Sequence, residues 1–262
     1  MEMRLAENRP DMEKVISYIK QAGELFTDRT MAGKILQKGS TDFVTMVDTQ
    51  VQEYLQGTLR QHWPHIQFMG EEKDNSEINF DGSVWILDPV DGTTNLIHDF
   101  MHSTISLALA ERGTVVQAVI YQPFTGEMFS AEAGRGAFLN GEPIRVSGTP
   151  SLASGLISVG TAPRMRESTD RTFRVMQSIF ERCHDIRHLG SASLELCYVA
   201  CGRLDGFFED GLSPWDYAAG MLIVAEAGGA AVQPDGKPLS LEHSCSVAAA
   251  NLMVLEELKG LL

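Results

Sequence analysis

A short apolar stretch, Ser-Val-Trp-Ile-Leu at 83–87, runs directly into Asp88-Pro89-Val90-Asp91-Gly92-Thr93-Thr94-Asn95. A strand that carries two carboxylates out of a hydrophobic interior must have them neutralised, because an unpaired buried charge costs several kcal/mol. Oxygen-only ligands suit a hard cation such as Mg2+. Pro89 fixes one φ, and Gly92 permits a tight turn. After Gly92 the pattern enters a helix, and the first N–H groups, from Gly92, Thr93 and Thr94, point toward an anion as helix N-termini do for phosphate. One turn thus offers two metal ligands and a phosphate cradle. Turn chemistry alone accounts for Asp-Pro-x-Asp-Gly equally well, since all three residue types favour turns.

Two further acidic groups bear on that choice. Gly70-Glu71-Glu72 follows the apolar segment 66–69 and falls at another strand end. Ser213-Pro214-Trp215-Asp216 opens a helix, and there a structural reading is available: Ser213 is a good N-cap, Pro214 fits the first helical position and Asp216 completes a capping box. We favour the functional reading because the three acidic segments occur in combination.

Composition adds one constraint. With 35 Asp and Glu against 21 Lys and Arg, the formal net charge is −14. That argues against general nucleic-acid binding, which needs a basic field to release phosphate counterions. An acidic protein that handles an acidic substrate needs cations to bridge the two. Apolar residues make up 44% of the chain, enough for a large core. No apolar run approaches the ~20 residues of a membrane-spanning helix. The N-terminus is polar, without an apolar leader segment, so a cytoplasmic location is expected. Cys183, Cys197, Cys201 and Cys245 are irregularly spaced; Cys197 and Cys201, one turn apart, read as small buried residues on one helix face rather than half of a zinc site. The seven histidines are scattered.

Periodicity predicts helices at 11–28 and 47–59, and the second half alternates strands with further helices at 170–181, 193–200, 214–227 and 252–261. Strands are expected at 83–87, 127–131, 136–139, 144–146, 156–159, 204–208 and 246–249, with a hairpin of 104–110 and 114–121 around Glu111-Arg112-Gly113. The segment between the first two helices reads as a strand pair or a mobile loop. With no linker, repeat or low-complexity stretch, residues 1–262 form one unit of two tightly packed sub-domains, at about 1–147 and 148–262, with layered helices and sheets.

The segments GEE, DPVDGTTN and SPWDYAAGMLIVAEAGG, in this order and at these separations, resemble the inositol monophosphatase family of Mg2+-dependent, lithium-sensitive phosphatases. The resemblance extends to Lys38, to TDFVTMVD ending at Asp48, to Gly190-Ser191-Ala192 and to Gly206-Phe207-Phe208-Glu209. It implies an α+β fold, the five-layer αβαβα sandwich of the sugar phosphatases, assembled as a homodimer. By the same resemblance Glu71, Asp88 and the Val90 carbonyl hold one Mg2+, and Asp88, Asp91 and Asp216 hold a second. Glu71 also holds a third, weaker ion through water, giving two to three ions. Thr93, supported by Asp48, orients the attacking water together with Glu71. The Gly92 and Thr93 N–H groups bind phosphate, while Glu209, Ser191 and Ala192 contact the alcohol. Lys38 lies in the loop that closes over the site in relatives.

The implied reaction is hydrolysis of inositol 1-phosphate, or a related sugar or polyol phosphate, by direct attack of a metal-activated water, with no nucleic-acid or membrane partner. Alternatives on the same scaffold are fructose-1,6-bisphosphatase, 3′(2′),5′-bisphosphate nucleotidase and NADP phosphatase; a catalytically inactive regulatory homologue is the alternative of another class. Phosphatases that form a phosphoaspartate use two aspartates separated by one residue, whereas two residues separate Asp88 from Asp91. Lys73 and Met101 stand where relatives often carry a small hydroxyl residue and proline, which leaves the leaving group undetermined.

Overall fold

The structure, a computed structural model, describes residues 9–27, 35–37, 43–163 and 165–262. Helix α1 (Met12–Gly23) starts at Asp11, whose side chain accepts from the Glu13 N–H, and buries Val15, Ile19 and Ala22. Strands β1 (Ile35–Gln37) and β2 (Phe43–Thr45) pair antiparallel, as one of the two readings of that segment expects. Helix α2 (Met46–His62) begins with a capping box between Thr45 and Asp48 and buries Val47, Val51, Leu55 and Leu59, a strict four-residue spacing.

A seven-stranded sheet follows in chain order. Its strands are β3 (Gln67–Gly70), β4 (Ser83–Asp91), β5 (Thr104–Glu111), β6 (Thr114–Gln122), β7 (Glu127–Glu132), β8 (Ala137–Leu139) and β9 (Glu142–Ile144). Only β3 and β4 are parallel; the rest meander antiparallel. Arg112 and Gly113 join β5 to β6, both with positive φ, the requirement of a two-residue primed turn.

A five-stranded sheet has the order β11-β10-β12-β14-β13, from β10 (Leu156–Val159), β11 (Asp185–Arg187), β12 (Gly206–Leu212), β13 (Ala230–Val232) and β14 (Cys245–Ala250). Helices α3 (Thr93–Ile97), α4 (Thr169–Phe180), α5 (Ala192–Ala200), α6 (Pro214–Glu226) and α7 (Leu252–Lys259) complete the chain.

Strand alternation assigns each face. On β4, Trp85 and Leu87 pack with α1 and α2, whereas Val84 and Ile86 face the central core. On β12 and β14, Phe207, Val247 and Ala249 face that same central core, while Phe208, Ala248 and Ala250 face α4 and α7. Helices α5 and α6 lie between the two sheets and are apolar nearly all round because both sides are buried. Their close approach needs Gly220, where a Cβ would lie 2.5 Å from Leu196 Cδ1. The layers are therefore helix, sheet, helix, sheet, helix, the expected αβαβα sandwich.

Differences from the sequence expectation are confined to short edge elements and strand limits. Strands β11 and β13 are three residues each, too short for a periodic signal, and β9 falls two residues earlier than expected. Strand β12 runs on to Leu212 because a bulge between Glu209 and Leu212 lets pairing with β14 continue past the polar residues. The four cysteines are free, with Cys197 in the central core and Cys201 half-buried at the end of α5. Among the described residues no helix is long and apolar enough to cross a membrane. Phe207→Ala, which empties the centre of the core between the sheets, is expected to cost about 3–5 kcal/mol; urea unfolding measures it, and a loss under about 1 kcal/mol would contradict this packing.

Candidate active site

The site starts where β4 stops being apolar. The alternation that sends Val84 and Ile86 toward the central layer sends Asp88 there as well. A register irregularity between Asp88 and Asp91 then lets both carboxylates leave the strand on the cavity side. The Val90 N–H donates to Asp88 Oδ1 at 3.0 Å, closing the turn. Gly92 has φ +84°, and a Cβ there would lie 2.9 Å from the His102 carbonyl oxygen and 3.0 Å from that of Gly190. Glycine is thus required twice over, by backbone angle and by space.

Three other elements supply acidic groups to the same cavity, of about 540 Å3. Glu71 follows the last residue of β3, and its N–H donates to the Leu87 carbonyl beside Asp88. Asp216 stands in the first turn of α6, where its Oδ2 accepts the Ser213 N–H at 2.7 Å. The capping role and the site position coexist in one side chain, so the two sequence readings of Asp216 are not exclusive. Glu209, on β12, is buried beside Gly160, where a Cβ would fall 2.0 Å from its carboxyl carbon, and it accepts from the Ala162 N–H at 3.2 Å.

Thr93 opens α3 at the cavity wall. Its hydroxyl lies 3.1 Å from Asp48 Oδ1 and 3.0 Å from the Val90 carbonyl. Asp48 is buried at the start of α2, and its Oδ2 accepts from Thr45 N at 2.8 Å and Thr45 Oγ1 at 2.6 Å. Val90, Gly92, Ala192 and Glu209 line the cavity, as do Arg166 and His188. Ser191 is buried beneath it, with its hydroxyl on Asp91 at 2.7 Å. Lys38 lies outside the described residues.

The electrostatics are one-sided. Burial pushes Asp88 well above the ordinary carboxylate range, and Glu71, Asp91, Asp216 and Asp48 push it further. Asp91 is raised by burial, though hydrogen bonds from Ser193 and Ser191 oppose this. Burial first, then Glu195, holds Glu209 well above its usual value. Asp48 is pushed up to about 6 and Glu195 up to about 7, in both cases chiefly by burial.

Among the described residues no group of three or more His, Cys, Asp or Glu side chains stands close enough together to hold a metal ion. The carboxylates share one cavity, but one oxygen of Asp88, Asp91 and Asp216 is held by a hydrogen bond within the protein. In chemistry the donor set fits a hard divalent cation: it is all oxygen, anionic and partly desolvated.

Several residues of the site were not singled out from sequence. Ser193 gives Asp91 Oδ2 both its N–H, at 2.7 Å, and its hydroxyl, at 2.5 Å. Asn95 Nδ2 donates to the carbonyls of His102, Leu189 and Gly190. Glu195 is fully buried in α5. For Glu195 a signal exists, a lone charge in the apolar run Leu-Glu-Leu-Cys-Tyr-Val-Ala; for Ser193 none does, because its partner is remote in sequence.

A layered sandwich with an acidic cavity at the end of a buried strand and helix N-termini beside it is the architecture of a metal-assisted phosphatase class. Residues 10–261 match the Inositol monophosphatase family, and the chain belongs to it. It is 38% identical over 223 residues to Nus factor SuhB of Escherichia coli, covering 84% of each chain. It is 37% identical over 222 residues to inositol-1-monophosphatase of Rhizobium meliloti, covering 85% of this chain and 83% of that one. The crystal structure of extragenic suppressor protein suhB from Bartonella henselae superposes with a TM-score of 0.90 at 31% identity, covering 95% of this chain and 97% of that one. The family is generally dependent on Mg2+.

The raised acids set a pH dependence. A carboxyl whose folded pKa exceeds its unfolded value stabilises the fold below the unfolded pKa, and that contribution is lost as pH rises through the folded one. For Glu195 the window runs from the ordinary 4.5 to about 7. Glu195→Gln removes this loss, so the variant is expected to gain on the wild type by about 3 kcal/mol between pH 4.5 and 8 in metal-free denaturant titrations. A stability difference that stays flat over that range would contradict it.

Proposed function

We propose that the chain is a Mg2+-dependent phosphomonoesterase acting on inositol 1-phosphate or a related sugar or polyol phosphate. The observation that carries this reading is the meeting in one cavity of Glu71, Asp88, Asp91 and Asp216 with the Gly92–Thr93 turn and the Thr93–Asp48 pair. The Rhizobium relative named inositol-1-monophosphatase supports the substrate class.

Glu71, Asp88 and the Val90 carbonyl would hold one Mg2+, and Asp88, Asp91 and Asp216 a second, with Glu71 serving a third and weaker ion through water. Bound Mg2+ supplies positive charge against the phosphate oxygens and makes water more acidic. The N–H groups of Gly92 and Thr93 bind the phosphate. With its own proton directed at Asp48 Oδ1, the Thr93 hydroxyl accepts a hydrogen bond from the attacking water and orients it, together with Glu71. Asp48, poised near 6, is suited to receive a proton at neutral pH. The water oxygen bonds to phosphorus as the ester oxygen leaves with its electron pair and takes a proton. Glu209 accepts from hydroxyls of the leaving alcohol, which favours a polyol, and the Ser191–Ala192 segment contacts the same group. The two sub-domains, 1–147 and 148–262, act as one unit, because ligands come from both. We further propose a cytoplasmic homodimer inhibited by Li+.

A second reading rests on the relatives named Nus factor, at 38% identity: a regulatory role, with or without catalysis. The charge of −14 sets it against direct nucleic-acid binding and leaves protein partners.

A panel of phosphate esters with Mg2+ separates the readings. Phosphate release is expected to be fastest from inositol 1-phosphate, ahead of fructose 1,6-bisphosphate, a 3′,5′-bisphosphonucleoside and NADP. Asp91→Asn is expected to lower kcat/KM by about 100-fold or more, roughly 3 kcal/mol of transition-state stabilisation. No release from any monoester would sink the catalytic reading and leave the regulatory one.

A further inference from the structure

Glu195 is the one acidic residue of α5, and it is fully buried in the layer between the two sheets. A carboxylate there is costly, and its Oε2 has no hydrogen-bond partner among the described residues. What the carboxylate does lies at its other oxygen. Helical side chains lean toward the N-terminus of their own helix, so a residue in the fourth helical position reaches back over the first turn. Glu195 Oε1 accepts the Leu189 N–H at 2.9 Å and the Ser158 hydroxyl from β10.

Two side chains thus grip the short segment 189–191 from opposite sides. Glu195 takes the Leu189 N–H, and Asn95 Nδ2 takes the Leu189 and Gly190 carbonyls at 2.7 and 3.2 Å. Between them Gly190 turns through φ +75°. This turn delivers Ser191 Oγ and both polar groups of Ser193 to one oxygen of Asp91. Asn95 belongs to the Gly92–Asn95 turn itself, so both ends of the linkage meet at the cavity.

We propose that Glu195 is a positioning residue: by holding the Leu189 amide and the Ser158 hydroxyl, it fixes the turn through which Ser191 and Ser193 orient Asp91. The cost of the buried carboxylate is borne for placement of another side chain and not for stability. The inference rests on the reading of Asp91 as a metal ligand, and its test is built to tell the two apart.

Glu195→Leu, Glu195→Gln and the wild type are compared by amide hydrogen exchange without metal and by Mn2+ titration. Glu195→Leu is expected to speed exchange across 189–193 by roughly tenfold and to weaken Mn2+ binding by about 10- to 100-fold. Glu195→Gln, which keeps an acceptor oxygen in place, restores protection of 189–193 and most of the Mn2+ affinity. Unchanged exchange at 189–193 in Glu195→Leu overturns the proposal, as does unchanged Mn2+ affinity. Wild-type protein that binds no Mn2+ while Glu195→Leu loosens 189–193 sinks the ligand reading of Asp91 and leaves the positioning role standing. Should Glu195→Leu fail to fold, Glu195→Asp, one methylene too short to reach both the Leu189 amide and the Ser158 hydroxyl, is measured in its place with the same criteria.

Discussion

Negative charge gathered at the end of a buried strand is the constraint on which this structure turns. Asp88 lies at 1% exposure, and the charges that act on it most strongly are four other carboxylates. Like charges at such closeness raise one another's pKa and weaken the fold unless protons or cations intervene. Two means of coping are visible. Backbone and hydroxyl donors take one oxygen of Asp88, Asp91 and Asp216 and both of Asp48, and burial holds Asp88, Asp91, Asp48 and Glu209 toward the protonated form. The donors leave the charge in place, and protonation relieves the repulsion only by giving up the carboxylate form that a ligand needs. Divalent cations would relieve it without that loss, and the oxygen-only donor set suits them.

The layered architecture is what makes this concentration of charge possible. Rigid pieces from distant parts of the chain end at one place: β3 and β4 from the first sheet, β12 from the second, and α6 from the layer between. Each carboxylate is borne on an element whose other side chains are locked in a core, so the elements resist spreading apart. The helices between the sheets serve twice, α6 by presenting Asp216 from its first turn and α5 by presenting the serines that hold Asp91. Glycine at 92 and 160 clears the space that the polar groups occupy.

How much of this could be read beforehand depends on how local each signal is. Strand β4 and its two aspartates announce themselves, because an apolar run followed by Asp-Pro-Val-Asp-Gly is written in consecutive residues. Helices α1, α2, α4 and α7 follow from amphipathic spacing. The buried α5 and α6 carry no amphipathic stripe, and of their limits only the start of α6 is marked, by Ser213-Pro214. Strands of three residues, β11 and β13, have no period to detect. Ser193 and Asn95 acquire their roles only from partners about a hundred residues away, so no local pattern gives them, while Glu195 is marked only as a lone charge in an apolar run and its partners lie in another layer. The convergence of Glu71, Asp88, Asp91 and Asp216 on one cavity was expected from family resemblance, not from spacing.

Anomalous diffraction from crystals soaked in Mn2+ tests the central claim most directly, that these carboxylates form a divalent-cation site. The account predicts anomalous peaks inside the cavity, among the carboxylates of Glu71, Asp88, Asp91 and Asp216 and the Val90 carbonyl. A cavity without such a peak at saturating Mn2+, in crystals whose Glu71, Asp88, Asp91 and Asp216 stand as described, would contradict it.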